Sequence, residues 1–317
     1  MSTRSSRSKS RSKSGRSKSG RGRSGAGAVQ ALPQCQMTAA NATEFQRVLG
    51  LPPLSETESM CDRLAALFHL LKTSESKNGE AGSTLLYNWY PTKLLGFGER
   101  GTVLELVSTD DENQEHRVIK FETENTNDSK LQYQFARAGL GADVFGHEGP
   151  FVFNDIPLWI TVMQKVDGTI EDWINEQPRT EEELKRLLDS VFELLDDTGK
   201  ETFTHGDAHE GNIGYIGNPT ERKNLVLIDF GYSSTNNVDT QIDPLQLLRH
   251  TWPHKNFPEK RISPNWIVFR KLIKQELIRR GIISSLKQVR TESQVDKLWT
   301  EAFSKYMAGK AKNQRRH

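Results

Sequence analysis

The apolar positions along the chain follow two different periods. Between residues 92 and 121 they alternate with polar ones in two short runs, TKLLGFGERGTVLELV and HRVIKF, joined by the acidic turn STDDENQE. That pattern predicts a strand, a glycine turn, a second strand, a loop and a third strand. Residues 128–138 fit a short helix, and LWITVMQKV at 158–166 fits a buried strand. Beyond it the period becomes helical. Thr180 caps a helix whose Leu184, Leu187, Leu188, Val191, Phe192 and Leu195 recur at i, i+3 and i+4. The short strands IGYI and NLVLID flank a turn at 217–224, and apolar stripes near 264–279 and 293–307 make the last third helical. A strand-rich block followed by a helix-rich block predicts an α+β fold of two lobes, 85–166 and 167–309. The cleft between such lobes is the default place for a site.

Ahead of the lobes, Ser55-Glu56-Thr57-Glu58 reads as a capping box opening a helix over 56–72. Its stripe of Met60, Leu64, Leu67, Phe68 and Leu71 suits docking on the domain, so 55–84 becomes an accessory helix plus the polar break at 73–84. Residues 25–54, with Gly25, Pro33, Pro52 and Pro53, read as linker. Charge changes the picture at the N-terminus. The first 24 residues carry nine Lys/Arg and no acid, and taking those nine from the net +2 leaves −7 for the remainder. With no aliphatic or aromatic side chain to bury after Met1, this stretch predicts a disordered Arg/Ser-rich tail, and 1–54 forms the tail-and-linker segment. Such a tail suits solubility, contact with nucleic acid or another acidic partner, nuclear targeting, or phosphorylation of its serines. A smaller basic end at 310–317, with Lys310, Lys312, Arg315 and Arg316, reads as a frayed tail.

Neither a membrane-spanning run nor a signal-peptide core is present, which predicts an intracellular protein of cytoplasm, nucleus or virion. Cys35 and Cys61, with no CxxC pair, suggest neither a disulfide framework nor a structural zinc site. Any metal then falls to His, Asp, Glu or Asn.

Four ordered elements carry the chemistry. Gly96-Phe97-Gly98-Glu99-Arg100-Gly101-Thr102-Val103 fits G-x-G-x-x-G-x-V. Since this turn leads into a strand and not a helix, it suits a flap over ATP phosphates better than a dinucleotide fingerprint. Lys120 follows in Val118-Ile119-Lys120, where its ammonium would reach the α- and β-phosphates. His205, Asp207 and Asn212 fit H-x-D-x-x-x-x-N, and Asp229-Phe230-Gly231 ends an apolar strand. In this order Asp207 orients a hydroxyl and accepts its proton, while Asn212 and Asp229 supply hard oxygen ligands for magnesium (or manganese). The competing reading has His205, Asp207 and His209 alternating on a strand as zinc ligands. It lacks a second His/Asp cluster, because His69, His116, His147, His250, His254 and His317 are scattered singly.

On these motifs the chain resembles the protein-kinase-like superfamily over roughly residues 90–255, in the style of the divergent serine/threonine kinases of large DNA viruses. The resemblance implies a bilobal kinase fold and transfer of the γ-phosphoryl group of ATP to Ser/Thr hydroxyls of a protein substrate. It also implies Met163 as gatekeeper, the backbone of Gln164 to Val166 on adenine, and Phe230 packed behind the metal aspartate. His205 takes a scaffold role. Several departures bear on regulation and substrate. The loop reads His-Gly-Asp, so the arginine that pairs with an activation-loop phosphate is missing. No Ala-Pro-Glu follows, and Asp243 resembles the start of the next core helix. The helix expected to give Lys120 a glutamate offers Gln132 and Gln134, which leaves Glu122, Glu124 and Asp128 as nearby acids, Asp128 being the candidate. His209 makes the loop similar to aminoglycoside and choline phosphotransferases and, more distantly, to UbiB-type kinases. The alternatives to a protein kinase are therefore a small-molecule phosphotransferase and an ATP-binding scaffold. The complete set of Lys120, Asp207, Asn212 and Asp229 argues against a scaffold.

Overall fold

The computed structural model describes residues 35–55, 58–73, 83–97, 101–108, 115–235, 239–252 and 262–314. The basic tail and Gly98 lie outside the described residues. Two helices come first, α1 (Ala39–Leu49) and α2 (Met60–Thr73), then strands β1 (Trp89–Phe97), β2 (Gly101–Ser108) and β3 (His116–Glu122). Helix α3 (Asp128–Arg137) separates these from β4 (Val144–Phe153) and β5 (Ile156–Gln164). The five strands form one antiparallel sheet in the order β1-β2-β3-β5-β4.

Register decides what each face of this sheet does. Leu104 pairs with Ile119 and Ile119 with Val162, so these side chains share one face, together with Leu106, Phe121 and Ile160. All are buried in a core that α1 and α2 complete with Phe45, Leu49, Leu64, Leu67, Phe68 and Leu71. Phe121 sits edge-on to both Phe45 and Phe68, at 6.2 and 6.1 Å between ring centroids. The opposite face carries Val103, paired with Lys120, and Val118, paired with Met163. Lys120 thus points away from the apolar core because Ile119 and Phe121 point into it.

The second lobe contains α4 (Ile170–Glu176), α5 (Glu181–Lys200), α6 (Ile242–His250), α7 (Pro264–Arg279) and α8 (Glu292–Gln314). Thr169 and Thr180 open α4 and α5 through reciprocal capping boxes with Asp172 and Glu183. Short strands bring the loops to the lobe junction: β6 (Gly168–Thr169), β8 (Ile213–Tyr215) and β9 (Leu225–Leu227) form one sheet, and β7 (Phe203–Thr204) pairs with β10 (Ser234–Thr235). The fold is α+β, a β-rich lobe followed by a helical one. No helix among the described residues is long and apolar enough to cross a membrane.

Four features differ from the sequence reading. The expected linker at 25–54 contains α1, whose Thr38 side chain accepts from the Asn41 N–H and whose Gly50 ends it at φ 64°. The accessory helix starts at Met60 because its cap is Ser59, paired reciprocally with Asp62, and not the box at Ser55. Cys35 and Cys61 form a disulfide, where the sequence suggested no disulfide framework. Such bonds form in oxidising surroundings and are rare in the cytosol. The basic end is not a frayed tail from 310 onward, since α8 runs to Gln314 and the Lys310 ammonium donates to backbone carbonyls.

The disulfide closes a loop of 26 residues that contains α1. Cys35→Ser is expected to lower the unfolding free energy by about 3 kcal/mol, read from the midpoint of a denaturant titration of the oxidised protein, with no effect of reductant on the variant.

Candidate active site

The junction of the two lobes holds a cleft of ≈ 760 Å³. Gly96, Phe97, Gly101 and Val103 from the glycine turn line its roof. Gly101 is needed there, because a Cβ would stand 2.3 Å from the Phe121 carbonyl oxygen. Val118 and Met163 continue the apolar wall, and Gln164 and Val166 border it where the chain passes between lobes. The Gln164 N–H is engaged with the Asp143 carbonyl at 2.8 Å, which fixes this crossing segment to the end of the loop before β4.

The floor is the stretch from Thr204 to Asn212. His205 is fully buried, and burial holds its imidazole down to about 4, so it is neutral. Its Nε2–H donates to the Ile228 carbonyl at 3.0 Å and its Nδ1 accepts from the Asp207 N–H at 3.3 Å. The ring therefore ties the loop that carries Asp207 to the segment after β9 that delivers Asp229. The same ring packs with Phe135 of α3 and Phe230, at centroid distances of 6.3 and 5.1 Å. Asp243 on α6 fixes the loop from below, accepting from the N–H groups of His205 (3.0 Å) and Gly206 (2.8 Å). Burial pushes Asp243 up to about 7 against these bonds.

Asp207 faces the cleft. Burial raises its carboxyl to about 6, opposed by a donor from Gln246, whose Nε2 bonds to Oδ1. At neutral pH it is mainly ionised and able to accept a proton. Asn212 turns its amide nitrogen back onto the Asp207 carbonyl at 3.0 Å and onto Oδ2 at 3.4 Å. Asn212 and Asp229 both line the cleft. Asp229 itself has φ 60°, a conformation that costs a non-glycine residue free energy and here turns the chain at the cleft edge. Gly231 follows, with Asp128 Oδ2 only 3.6 Å from where its Cβ would be.

Lys120 reaches the cleft from β3, and its partner is not a helix glutamate. Glu122, two residues on and therefore on the same face, lies at 3.0 Å, and Asp128 at the start of α3 is at 3.8 Å. Burial works against the ammonium, but Glu122, Asp229 and Asp128 outweigh it and raise the Lys120 pKa. Glu122 is itself buried and accepts from Thr126 Oγ1 at 3.2 Å. On α3, the buried Gln132 is engaged elsewhere, donating to Met163 Sδ at 2.9 Å. Glu122→Gln is expected to lower kcat/KM for ATP roughly tenfold, and Asp128→Asn by less; steady-state ATP titrations check both.

The arrangement, a glycine-turned sheet carrying Lys120 above a helical lobe that presents Asp207, Asn212 and Asp229 to the same cleft, decides the architecture. This is the ordered set on which the chain resembles the protein kinases. No family model matches the chain. A stretch of 54 residues is 46% identical to a Mus musculus protein described as choline/ethanolamine kinase, covering 17% of this chain and 14% of that protein. Among solved structures, the chain is similar to a Cydia pomonella granulovirus kinase, with 20% identity, TM-score 0.36 and 47% of this chain covered. It spans about half the length of that kinase, 53%. It is also similar to the autoinhibited serine kinase domain of the giant muscle protein titin, with 16% identity, TM-score 0.42, and 70% and 83% of the two chains covered.

The zinc alternative takes a different form in the folded chain. His205 is turned away behind the loop, but His250 of α6 comes to His209, so Asp207, His209 and His250 lie within ligand distance of one another. His250 is thus not an isolated histidine. The two imidazoles stack in parallel, 4.1 Å apart and 3° from coplanar, which directs their lone pairs side by side and not toward a shared point. His209 Nδ1 accepts from the Gly211 N–H at 3.1 Å, which puts the ring proton on Nε2, the nitrogen facing Asp207 at 4.0 Å. The geometry suits a histidine platform beside Asp207 better than a tetrahedral metal site.

Gln246 and His250 were not singled out from sequence. Their signal was spacing on α6: Asp243, Gln246 and His250 recur at i, i+3 and i+7, a polar stripe facing the loop on a helix whose other residues, apart from Arg249, are apolar.

Proposed function

We propose that the chain is an ATP- and Mg²⁺-dependent phosphotransferase whose acceptors are serine and threonine hydroxyls of proteins. The observation that carries this reading is the convergence of Lys120, Asp207, Asn212 and Asp229 on one cleft beneath the glycine turn. Val103, Val118 and Met163 offer an apolar slot for adenine, and the backbone of Gln164 to Val166 offers hydrogen bonds to its edge. Lys120 binds the α- and β-phosphates as a point charge. The carboxylate of Asp229 and the amide oxygen of Asn212 are hard donors that fit magnesium; both residues line the cleft, and the Asn212 amide is held through its nitrogen. Magnesium held there would neutralise charge on the phosphate oxygens. Asp207 orients the acceptor hydroxyl and takes its proton as the acceptor oxygen bonds to the γ-phosphorus and the bond to the β-phosphate oxygen breaks. Gln246 steadies the carboxylate in that role.

The glycine turn and Asp229-Phe230-Gly231 favour protein acceptors, since small-molecule enzymes with a similar loop generally lack both. The small-molecule reading is favoured instead by His209 and by the identity shared with the mouse choline/ethanolamine kinase segment. Labelled ATP offered with a mixture of basic and acidic proteins, and separately with hydroxylated small molecules including choline, distinguishes the two. Label on protein serine or threonine supports the first reading, and label confined to small molecules overturns it.

A further inference from the structure

The segment that follows Asp229 is pinned from the far end of the chain. The Tyr232 carbonyl accepts from the Tyr306 hydroxyl at 2.8 Å and from Lys310 Nζ at 3.3 Å, and Lys310 also donates to the Ser233 carbonyl at 2.9 Å. The Tyr232 ring sits edge-on to Phe303, 5.8 Å away, and Phe303 stacks on Trp299 at 4.7 Å. Helix α8 therefore grips this segment by ring and by backbone. From the other side, the buried Ser233 donates its hydroxyl to the His205 carbonyl at 2.8 Å and its N–H to the Phe230 carbonyl at 3.0 Å.

The same Tyr232 carbonyl limits what the catalytic loop can carry. Gly206, between His205 and Asp207, has φ +81°, and a Cβ on it would stand 2.7 Å from the Tyr232 oxygen. An arginine at this position is excluded by conformation and by space together. The loop thus has no cation with which to hold a phosphorylated segment, and the oxygen that fills the room is the one that Tyr306 and Lys310 bind.

We propose that Tyr306 and Lys310 are positioning residues for Asp229, and that α8 holds the Gly231–Ser233 segment permanently in the arrangement that places the carboxylate at the cleft. This rests on the phosphotransferase reading above. Asp229 sits in a left-handed conformation that relaxes unless its neighbours restrain it. Tyr232, three residues on, is where α8 supplies the restraint. No phosphate is needed for it, so the chain is active as synthesised.

The test uses the full chain with Tyr306→Phe, Lys310→Met and both together. Phenylalanine keeps the buried ring of Tyr306, which is 1% exposed. The double variant is expected to lose roughly a hundredfold in kcat through misplacement of Asp229, with KM for ATP within about twofold of wild type. Amide exchange at residues 231–234 is expected to quicken in the double variant while the amides that Asp243 holds, at His205 and Gly206, keep their protection. Wild-type kcat in the double variant, or unchanged exchange at 231–234, overturns the proposal. So does a variant in which all amides quicken alike, because α8 then serves only packing. If the wild-type chain transfers phosphate to no acceptor, the phosphotransferase reading fails, and the exchange pattern alone decides whether α8 pins the segment.

Discussion

Asp207→Asn is expected to lower kcat by about 10³-fold or more while ATP affinity stays within about twofold of wild type. The exchange removes one function only. An amide is nearly the size of a carboxylate and still accepts from Gln246 or Asn212, whose nitrogens lie against the Asp207 oxygens. It cannot take up a proton from the acceptor hydroxyl. In the proposed function ATP is held by Lys120, the glycine turn and the crossing segment, whereas Asp207 is hydrogen-bonded by the side chains of His205, Asn212 and Gln246. Steady-state kinetics paired with calorimetric ATP binding separate the two quantities. Comparable kcat in both proteins contradicts the role of Asp207 as base, and a large loss of ATP affinity contradicts the division of labour between the lobes.

Asp243→Ala is expected to destabilise the chain by about 3–5 kcal/mol. Asp243 is fully enclosed beneath the catalytic loop and accepts from the His205 and Gly206 N–H groups, with Ala208 as a further backbone donor. Truncation strands buried donors that no solvent can reach, and each stranded donor costs about 1–3 kcal/mol. The cavity left by the carboxylate adds to the loss. Asp243→Asn is expected to recover part of it, because the amide oxygen accepts while its NH₂ faces donors. Denaturant midpoints of the three proteins check this. A midpoint for Asp243→Ala within error of wild type contradicts the assignment of Asp243 as the loop's anchor.

Much of the cleft lining was legible in sequence because the motifs fix residue type and order. Gly96, Gly101, Lys120, Asp207, Asn212 and Asp229 converge where the motif order places them. What escaped the reading depends on contacts between distant segments. The partner of Lys120 was sought on a helix, whereas strand alternation already put Glu122 on the same face two residues on. Helix α1 was hidden by Pro33, Pro52 and Pro53 on either side, although Thr38 and Gly50 supply both its caps. The disulfide joins the segment before α1 to the first turn of α2, and no spacing rule foretells a pair 26 residues apart. The pairing of His209 with His250 needs α6 to lie along the loop, which is a property of the core and not of either histidine. Lys310 looked like tail because its neighbours are basic, yet Tyr306, one turn earlier, is almost wholly buried and marks the helix as part of the domain.

The measurement that tests the central claim most directly follows γ-labelled ATP with the purified chain and a mixed protein acceptor, in magnesium and in chelator. The account predicts label on serine or threonine in magnesium alone, lost with Lys120→Met, Asp207→Asn and Asp229→Ala. Equal labelling by these variants and the wild type, or no label on any hydroxyl in magnesium, would contradict it.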